Sequence, residues 1–342
     1  MSISRFLFRR IIYSVFVLLG LSAVIFVIAR IMPGDPARMA VGARAPQWVV
    51  DRIRENMHLN QPLPVQYYYW LTDALHGDFG LSLVTQRPVA SDIKEFLPAS
   101  LELVFLAALI SSIVGIGLGI ISARYKDTWI DNTVRVFSYA GIVTPSFVIA
   151  ILFVLLFGFT LNWFPIIGRL SEGITAPPVR TGLLTVDSLL AGRLDVFTNA
   201  LWHMVLPALA LAMGSIAQAA RITRSSMADN LTKDYIAAAR ALGIPERTVS
   251  GRLLLKPSLI PTISILGLDI AATISVAFLV ELIFNWPGLG RYGMTSMLHK
   301  DLNAISAVIL VFGAIFITAN IVVDLLVAYL DPRIRLRSAR SD

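Results

Sequence analysis

Five stretches of this chain, 11–29, 103–123, 136–168, 196–220 and 302–323, contain no Asp, Glu, Lys or Arg. A sixth, 258–285, is interrupted only by Asp269 and Glu281. Each matches the roughly 20 residues that an α-helix needs to cross the hydrocarbon core of a bilayer. Backbone N–H and C=O groups in lipid must be satisfied internally, so such runs become helices. A membrane β-barrel would need strands of about ten residues with alternating polarity, which these runs lack. The expected fold class is all-α: a polytopic membrane protein with six transmembrane helices. A charged content of only 15%, against about 25% in soluble domains, agrees with this.

Lys and Arg orient the helices, because cytoplasmic loops hold more of them. Segments 1–10, 122–135, 221–258 and 331–342 together carry 17 of the 29 basic residues, and the longer opposite segments 30–96, 161–199 and 285–302 carry 12. Both termini are therefore expected in the cytoplasm. The net charge of +7 reads as topology and contact with membrane lipid, not with nucleic acid, since no basic patch interleaved with aromatics lies beyond the membrane flanks. Arg9-Arg10 could introduce an export signal, but run 11–29 exceeds the roughly 7–15 residues of a signal core and no small-residue cleavage site follows it. It is read as the first spanning helix. With no cysteine, the first external loop of about 65 residues must hold its shape by packing. That loop carries the aromatic segment Gln66-Tyr67-Tyr68-Tyr69-Trp70-Leu71, expected at the headgroup level.

Loop 221–258 is helical in pattern and broken at Gly243-Ile244-Pro245. Its centre reads Asp234-Tyr235-Ile236-Ala237-Ala238-Ala239-Arg240-Ala241-Leu242-Gly243. Ala239 and Gly243, four apart, share one helix face. With Ala238 they are expected to form a nearly bare surface for close packing of another protein.

No phosphate loop, HExxH or GxSxG occurs, and the four histidines show no metal-ligand spacing, so neither catalytic nor metal-binding residues are expected. Gly115, Gly117 and Gly119 lie inside a spanning run, where close helix packing explains them better than a dinucleotide fingerprint. Charges at membrane depth are candidates for a pathway. Asp269 falls near the middle of the fifth helix, where a pathway role competes with a structural hydrogen bond. Glu281, near its outer end, reads as structural before pathway, and Glu102 and Asp324, at other helix ends, read as structural. Pro145 and Pro207 are expected to kink the third and fourth helices.

A six-helix protein with no nucleotide site draws its energy from elsewhere, and at this point the chain resembles a family: the permease subunits of binding-protein-dependent ABC importers, dipeptide/oligopeptide/nickel branch. Ala238, Ala239 and Gly243 match its coupling motif, Pro261 its later proline, and Ala237 replaces its glutamate. Met32-Pro33-Gly34-Asp35-Pro36, Leu59-Asn60-Gln61-Pro62-Leu63, Gly77-Asp78-Phe79-Gly80-Leu81-Ser82, Trp286-Pro287-Gly288-Leu289-Gly290, Val323-Asp324-Leu325-Leu326 and Leu330-Asp331-Pro332-Arg333-Ile334-Arg335 resemble the branch in the same order. His58 and Asn60 depart from its usual glycine and aspartate.

The resemblance implies a type I ABC importer permease fold. Segment 1–98 would hold the first helix and external loop, 99–331 a five-helix transport core with coupling loop 221–258, and 332–342 a cytoplasmic tail. It implies a second homologous permease, two ABC ATPase subunits and an external substrate-binding protein as partners. No cofactor is expected in this chain; ATP and Mg would sit on the ATPases. Asp234, Tyr235, Ala238, Ala239, Arg240 and Gly243 would couple to the ATPases, Asp269 and Glu281 would line the substrate pathway, and Trp286, Pro287, Gly288 and Gly290 would dock the binding protein. Peptides are the expected cargo, with nickel chelates, glutathione, oligosaccharides or opine-like solutes as alternatives. An ion-driven secondary transporter is the rival mechanism; it would want an inverted repeat and several midplane charges.

Overall fold

Apolar runs make the helices here, and prolines and glycines set where they stop. The computed structural model describes residues 3–31, 36–42, 44–56 and 58–330; the motifs expected at 32–35 and 331–335 and the tail 332–342 lie outside them. The chain runs through α1 (Ile3–Ile31), then three short helices, α2 (Pro36–Val41), α3 (Gln47–Asn56) and α4 (Leu63–Leu75). The long α5 (Val89–Arg124) follows, ahead of the expected boundary at 98/99, and then α6 (Trp129–Val143) and α7 (Ser146–Phe153), which continues as a π-helix over Val154–Thr160. Next come α8 (Leu184–Leu190), α9 (Leu194–Leu231), α10 (Asp234–Ala241) and α11 (Glu246–Thr248). A second π-helix, Val249–Leu255, leads into α12 (Lys256–Ile283), α13 (Leu289–Leu298) and α14 (Leu302–Leu330). Among the described residues the β-structure is a lone bridge between Leu81 and Pro88.

Five helices among the described residues are long and apolar enough to cross a membrane, and α6 with α7 and its π extension, bent by 108° at the break, is apolar and long enough only when the pair is taken together. Pro145 causes that bend. Its ring disfavours helical geometry at the residue before it, and Thr144 accordingly sits at φ −83°, ψ 121°. At Pro207, by contrast, α9 continues as one helix and one span. Proline removes one backbone bond in either case, but only at Thr144 does the chain leave helical geometry.

Close approach of α5 to α9 explains two of the three glycines noted above. A Cβ on Gly115 would stand 2.7 Å from the Ala219 Cβ, and one on Gly119 would stand 2.5 Å from the Thr223 Cβ. A methyl group at Gly117 would meet nothing within 4 Å. The core between these helices is built mostly of Leu, Ile and Ala, including Leu103, Leu206 and Ile274. α4 packs on α1, with Tyr67 5.4 Å and Trp70 5.7 Å from the Phe26 ring, and the Tyr67 hydroxyl 2.7 Å from Ser22 Oγ. Part of the aromatic segment thus anchors the loop between α1 and α5 to a spanning helix.

Two clusters fix the ends of the bundle. Val89, Ile93, Leu289 and Ala304 join the starts of α5 and α14. Ala123, Met227, Ile236, Ala239, Val249 and Leu254 join the far end of α5 to α10 and its flanks. The start of α1 meets the end of α14 through an Arg10–Asp324 ion pair. α10 therefore lies at the end of the bundle where the first helix begins and the last one finishes.

Candidate functional site

α10 is a short amphipathic helix that rests on its own protein along one side. Ile236 and Ala239 are buried, at 1% and 5% exposure, in the cluster with Ala123, Met227 and Val249. This corrects the face expected to be bare. Ala239 points into the bundle, where a small side chain lets α10 lie close to α5 and α9. The outer surface is made by Tyr235, Ala238, Arg240, Ala241 and Leu242, with Leu242 80% exposed. Asp234 stands in the first turn, exposed, where a carboxylate complements the helix dipole. Arg240 donates to Glu246 at 2.8 Å, and that carboxylate raises the guanidinium's pKa.

Gly243 ends the helix at φ +72°, in the left-handed region that glycine enters without a Cβ penalty. Gly243 N–H donates to Arg240 O at 3.0 Å and Ile244 N–H to Ala239 O at 3.1 Å. This is the Schellman pair of bonds, and Ile244 supplies its apolar contact against the cluster that holds Ala239. Gly243 is thus a stop signal; a Cβ there would meet nothing within 4 Å.

A buried ion pair fixes the platform beneath α10. Asp131, on α6 and fully buried, accepts from Arg224 Nε and Nη2 of α9, both at 2.6 Å. It also accepts from the Ser122 hydroxyl of α5 at 2.5 Å and the Asp127 N–H at 3.0 Å. Three helices are tied to one carboxylate just before α9 passes into α10. Sequence reading missed this residue because it sits in a basic loop, where one acid looks like an ordinary solvated charge.

At the opposite end, Glu281 is fully buried. It accepts from the Ser100 hydroxyl at 2.5 Å and the Arg291 N–H at 2.9 Å, while Ser100 Oγ in turn receives the Leu289 N–H at 2.8 Å. Trp286 is 1% exposed and donates its indole N–H to Ala99 O at 3.0 Å. Gly288 and Gly290 are buried and Pro287 is half-buried. These residues therefore form an internal clasp around Glu281: the carboxylate faces no open path, and only Pro287 of the four reaches the surface.

A Cβ on Gly288 would lie 2.4 Å from the Glu281 carboxyl carbon. Gly288→Ala is expected to cost about 1–3 kcal/mol by overpacking, read as a lower thermal midpoint of the detergent-purified protein. Combined with Glu281→Ala it should show strong coupling in a double-mutant cycle; purely additive losses would contradict the contact.

Glu102 and Asp187 brace the same end. Glu102 pairs with Arg169 and accepts the Thr185 N–H at 2.7 Å, and Arg169 lies over the Trp286 ring at 5.6 Å. Burial lowers the Arg169 pKa against the pull of Glu102. Burial pushes the Asp187 carboxyl up, but donors from Thr181, Arg180 and Gly182 outweigh it and hold the pKa below the ordinary value. A depressed folded-state pKa stabilises this loop at pH above about 4, where the unfolded carboxyl is ionised, and the contribution disappears as pH falls through the lower folded value. Since the chain has no cysteine, a spin label at Val179→Cys, an 82% exposed position, can report it. The label should gain mobility only below about pH 4, and Asp187→Asn should make it mobile at every pH. Equal mobility in both proteins at neutral pH would contradict the bracing role.

Asp269 is half-buried midway along α12, with Gln218 Nε2 of α9 at 3.3 Å and 3.4 Å from its two oxygens. Those long contacts leave the carboxylate incompletely satisfied.

Comparison with known proteins places this geometry in a family. Residues 115–336 match the family described as binding-protein-dependent transport system inner membrane component, and residues 3–104 match its N-terminal family. The probable D,D-dipeptide transport system permease protein DdpB of Escherichia coli K12 is 41% identical over 94% of both chains. The dipeptide transport system permease protein DppB of Alkalihalophilus pseudofirmus is 35% identical over 96% of this chain and 98% of the relative. The glutathione transport system permease protein GsiC of E. coli K12 is 33% identical over 97% and 99%. The chain belongs to the inner-membrane components of binding-protein-dependent transport systems, as a multi-pass permease.

Proposed function

We propose that this chain is one permease subunit of an ATP-driven importer of dipeptides, with both termini and α10 in the cytoplasm. The observation that carries the substrate is the 41% identity to a D,D-dipeptide permease over nearly the whole of both chains. Identity of 33% to a glutathione permease keeps γ-linked peptides in the same assay. The Lys and Arg excess of the α10 end supports the orientation.

The exposed face of α10 seats on a separate ATPase subunit, two of which bind ATP and Mg. A second homologous permease completes the pathway, and a binding protein delivers substrate to the outer face shaped by the Glu281 clasp. ATP moves the assembly only because it binds one arrangement of the ATPases better than the other. The Asp131–Arg224 pair carries that movement into α9 and α6 as a rigid block. Asp269 borders the pathway, where an incompletely bonded carboxylate can meet a peptide N–H or ammonium.

Uptake of labelled L,L-dialanine, D,D-dialanine and glutathione, in cells lacking their own peptide permeases and supplied with the whole transport system, tests this. ATP-dependent dipeptide uptake, lowered by Asp269→Asn without loss of assembly, is the expected result. Uptake that follows an ion gradient after ATP depletion would sink the importer reading. Transport of glutathione alone would move the substrate.

A further inference from the structure

A cleft of about 310 Å³ opens at the end of α1, between α4 and the segment that follows it, lined by Arg30, Gln66, Tyr69, Trp70, Asp73 and Asp78 among others. That volume is at the lower end of the ~300–1,000 Å³ of small-molecule sites. The lining holds both signs of charge, and no ion pair joins them among the described residues. Arg30 lies over the Phe26 ring at 5.1 Å, and its Nε is buried with no hydrogen-bond partner among the described residues. Asp78 accepts the Gly80 N–H at 2.9 Å, while the Asp73 side chain engages no described residue. Gln66, 7% exposed, donates its amide to the Leu59 and Gln61 carbonyls at 3.2 Å and 2.8 Å, and its Oε1 has no partner among the described residues.

Arg30 is half-buried with an unpartnered Nε, an arrangement that is costly unless something supplies a counter-charge, while Asp73 and Asp78 stand exposed at the rim of the cleft. A simple anion would be attracted by Arg30 and repelled by the two aspartates; a simple cation would suffer the reverse. A molecule bearing both charges satisfies both ends. Tyr69 and Trp70 add aromatic walls that favour an ammonium group and its short apolar stem.

We propose that this cleft binds a small zwitterion, with a primary ammonium toward Asp73 and Asp78 and an anionic group toward Arg30. The ammonium–anion pair has two natural sources, a free short peptide or the phosphoethanolamine headgroup of a lipid. Arg30 stands in the last turn of a spanning helix, within reach of either. The proposal does not depend on the substrate proposed above.

The test uses the intact transport complex in nanodiscs of phosphatidylglycerol, without binding protein and without uptake, so its outcome is independent of the transport assay. Binding of dialanine and of dihexanoyl phosphatidylethanolamine is titrated by thermophoresis, with N-acetyl-dialanine and alanyl-alaninamide as forms lacking one charge. At least one zwitterion should bind saturably, with the two blocked peptides at least about tenfold weaker than dialanine wherever dialanine binds. Arg30→Gln and Asp73→Asn should each weaken binding by about tenfold or more, the size of one charge-assisted hydrogen bond; Arg30→Lys should recover part of it. Asp73 is exposed and its side chain engages no described residue, so its substitution leaves the fold intact. Binding of dialanine alone assigns the site to free peptide, and of the phospholipid alone to lipid. The proposal fails if neither zwitterion binds, if blocked peptides bind as tightly as dialanine, or if both substitutions leave binding unchanged.

Discussion

Asp131→Ala is expected to destabilise the chain by about 3–5 kcal/mol, the cost of leaving one partner of a buried ion pair uncompensated. Arg224 would keep its charge inside the protein with two donors facing a void, and the Ser122 hydroxyl and Asp127 N–H would lose their acceptor. The measurable result is a large drop in the thermal midpoint and poor yield of folded protein. Replacing both members, Asp131→Leu with Arg224→Met, should recover much of the stability, because a well-packed apolar pair of similar volume avoids the desolvation cost. Uptake should stay low in that double variant, since the apolar contact no longer fixes α6 and α9 in one register. Full uptake by it would remove the pair from the coupling path. A single Asp131→Ala variant as stable as the parent would show that the pair is not formed.

Leu242→Asp should have the largest effect on transport while sparing the fold. The side chain is 80% exposed and touches little of its own protein, so the bundle does not need it. Burying a leucine in an interface is worth about 1.5–3 kcal/mol, and a carboxylate in its place adds a desolvation penalty. Association with the ATPase should weaken at least about tenfold and uptake should fall with it. The purified chain should melt at an unchanged temperature. Gly243→Val separates the two roles of this segment: a β-branched residue at φ +72° costs roughly 1–3 kcal/mol of local strain and disturbs the cap while leaving Leu242 in place. Normal uptake by Leu242→Asp, with the protein inserted, would show that this face contacts no essential partner.

The helices were legible because hydropathy alone decides what a backbone can do in lipid. The α10 stop was legible for an equally local reason: a glycine after an alanine-rich stretch supplies the positive φ that a helix cap uses. Which side of α10 faces outward was not. Spacing groups Ala239 with Gly243, but only tertiary contact with Ala123 and Met227 shows that the bundle itself covers Ala239 and leaves Leu242 exposed. Depth along the fifth helix located Glu281 without revealing its partner Ser100, 181 positions away in sequence. The motif around Trp286 reads as an exposed loop from its Pro-Gly turn, yet its glycines serve to let the backbone close on that carboxylate. Pro145 and Pro207 look alike in sequence; the first breaks a span and the second does not.

One measurement bears most directly on the coupling role of α10. A photo-crosslinker attached at Leu242→Cys, the single thiol in the chain, is activated in membranes containing the whole transport system, and the adduct is identified by mass spectrometry. The expected product joins this position to an ATPase subunit, with a yield that changes when ATP is added. Adducts to lipid alone, or none, in a system that still transports would contradict the assignment.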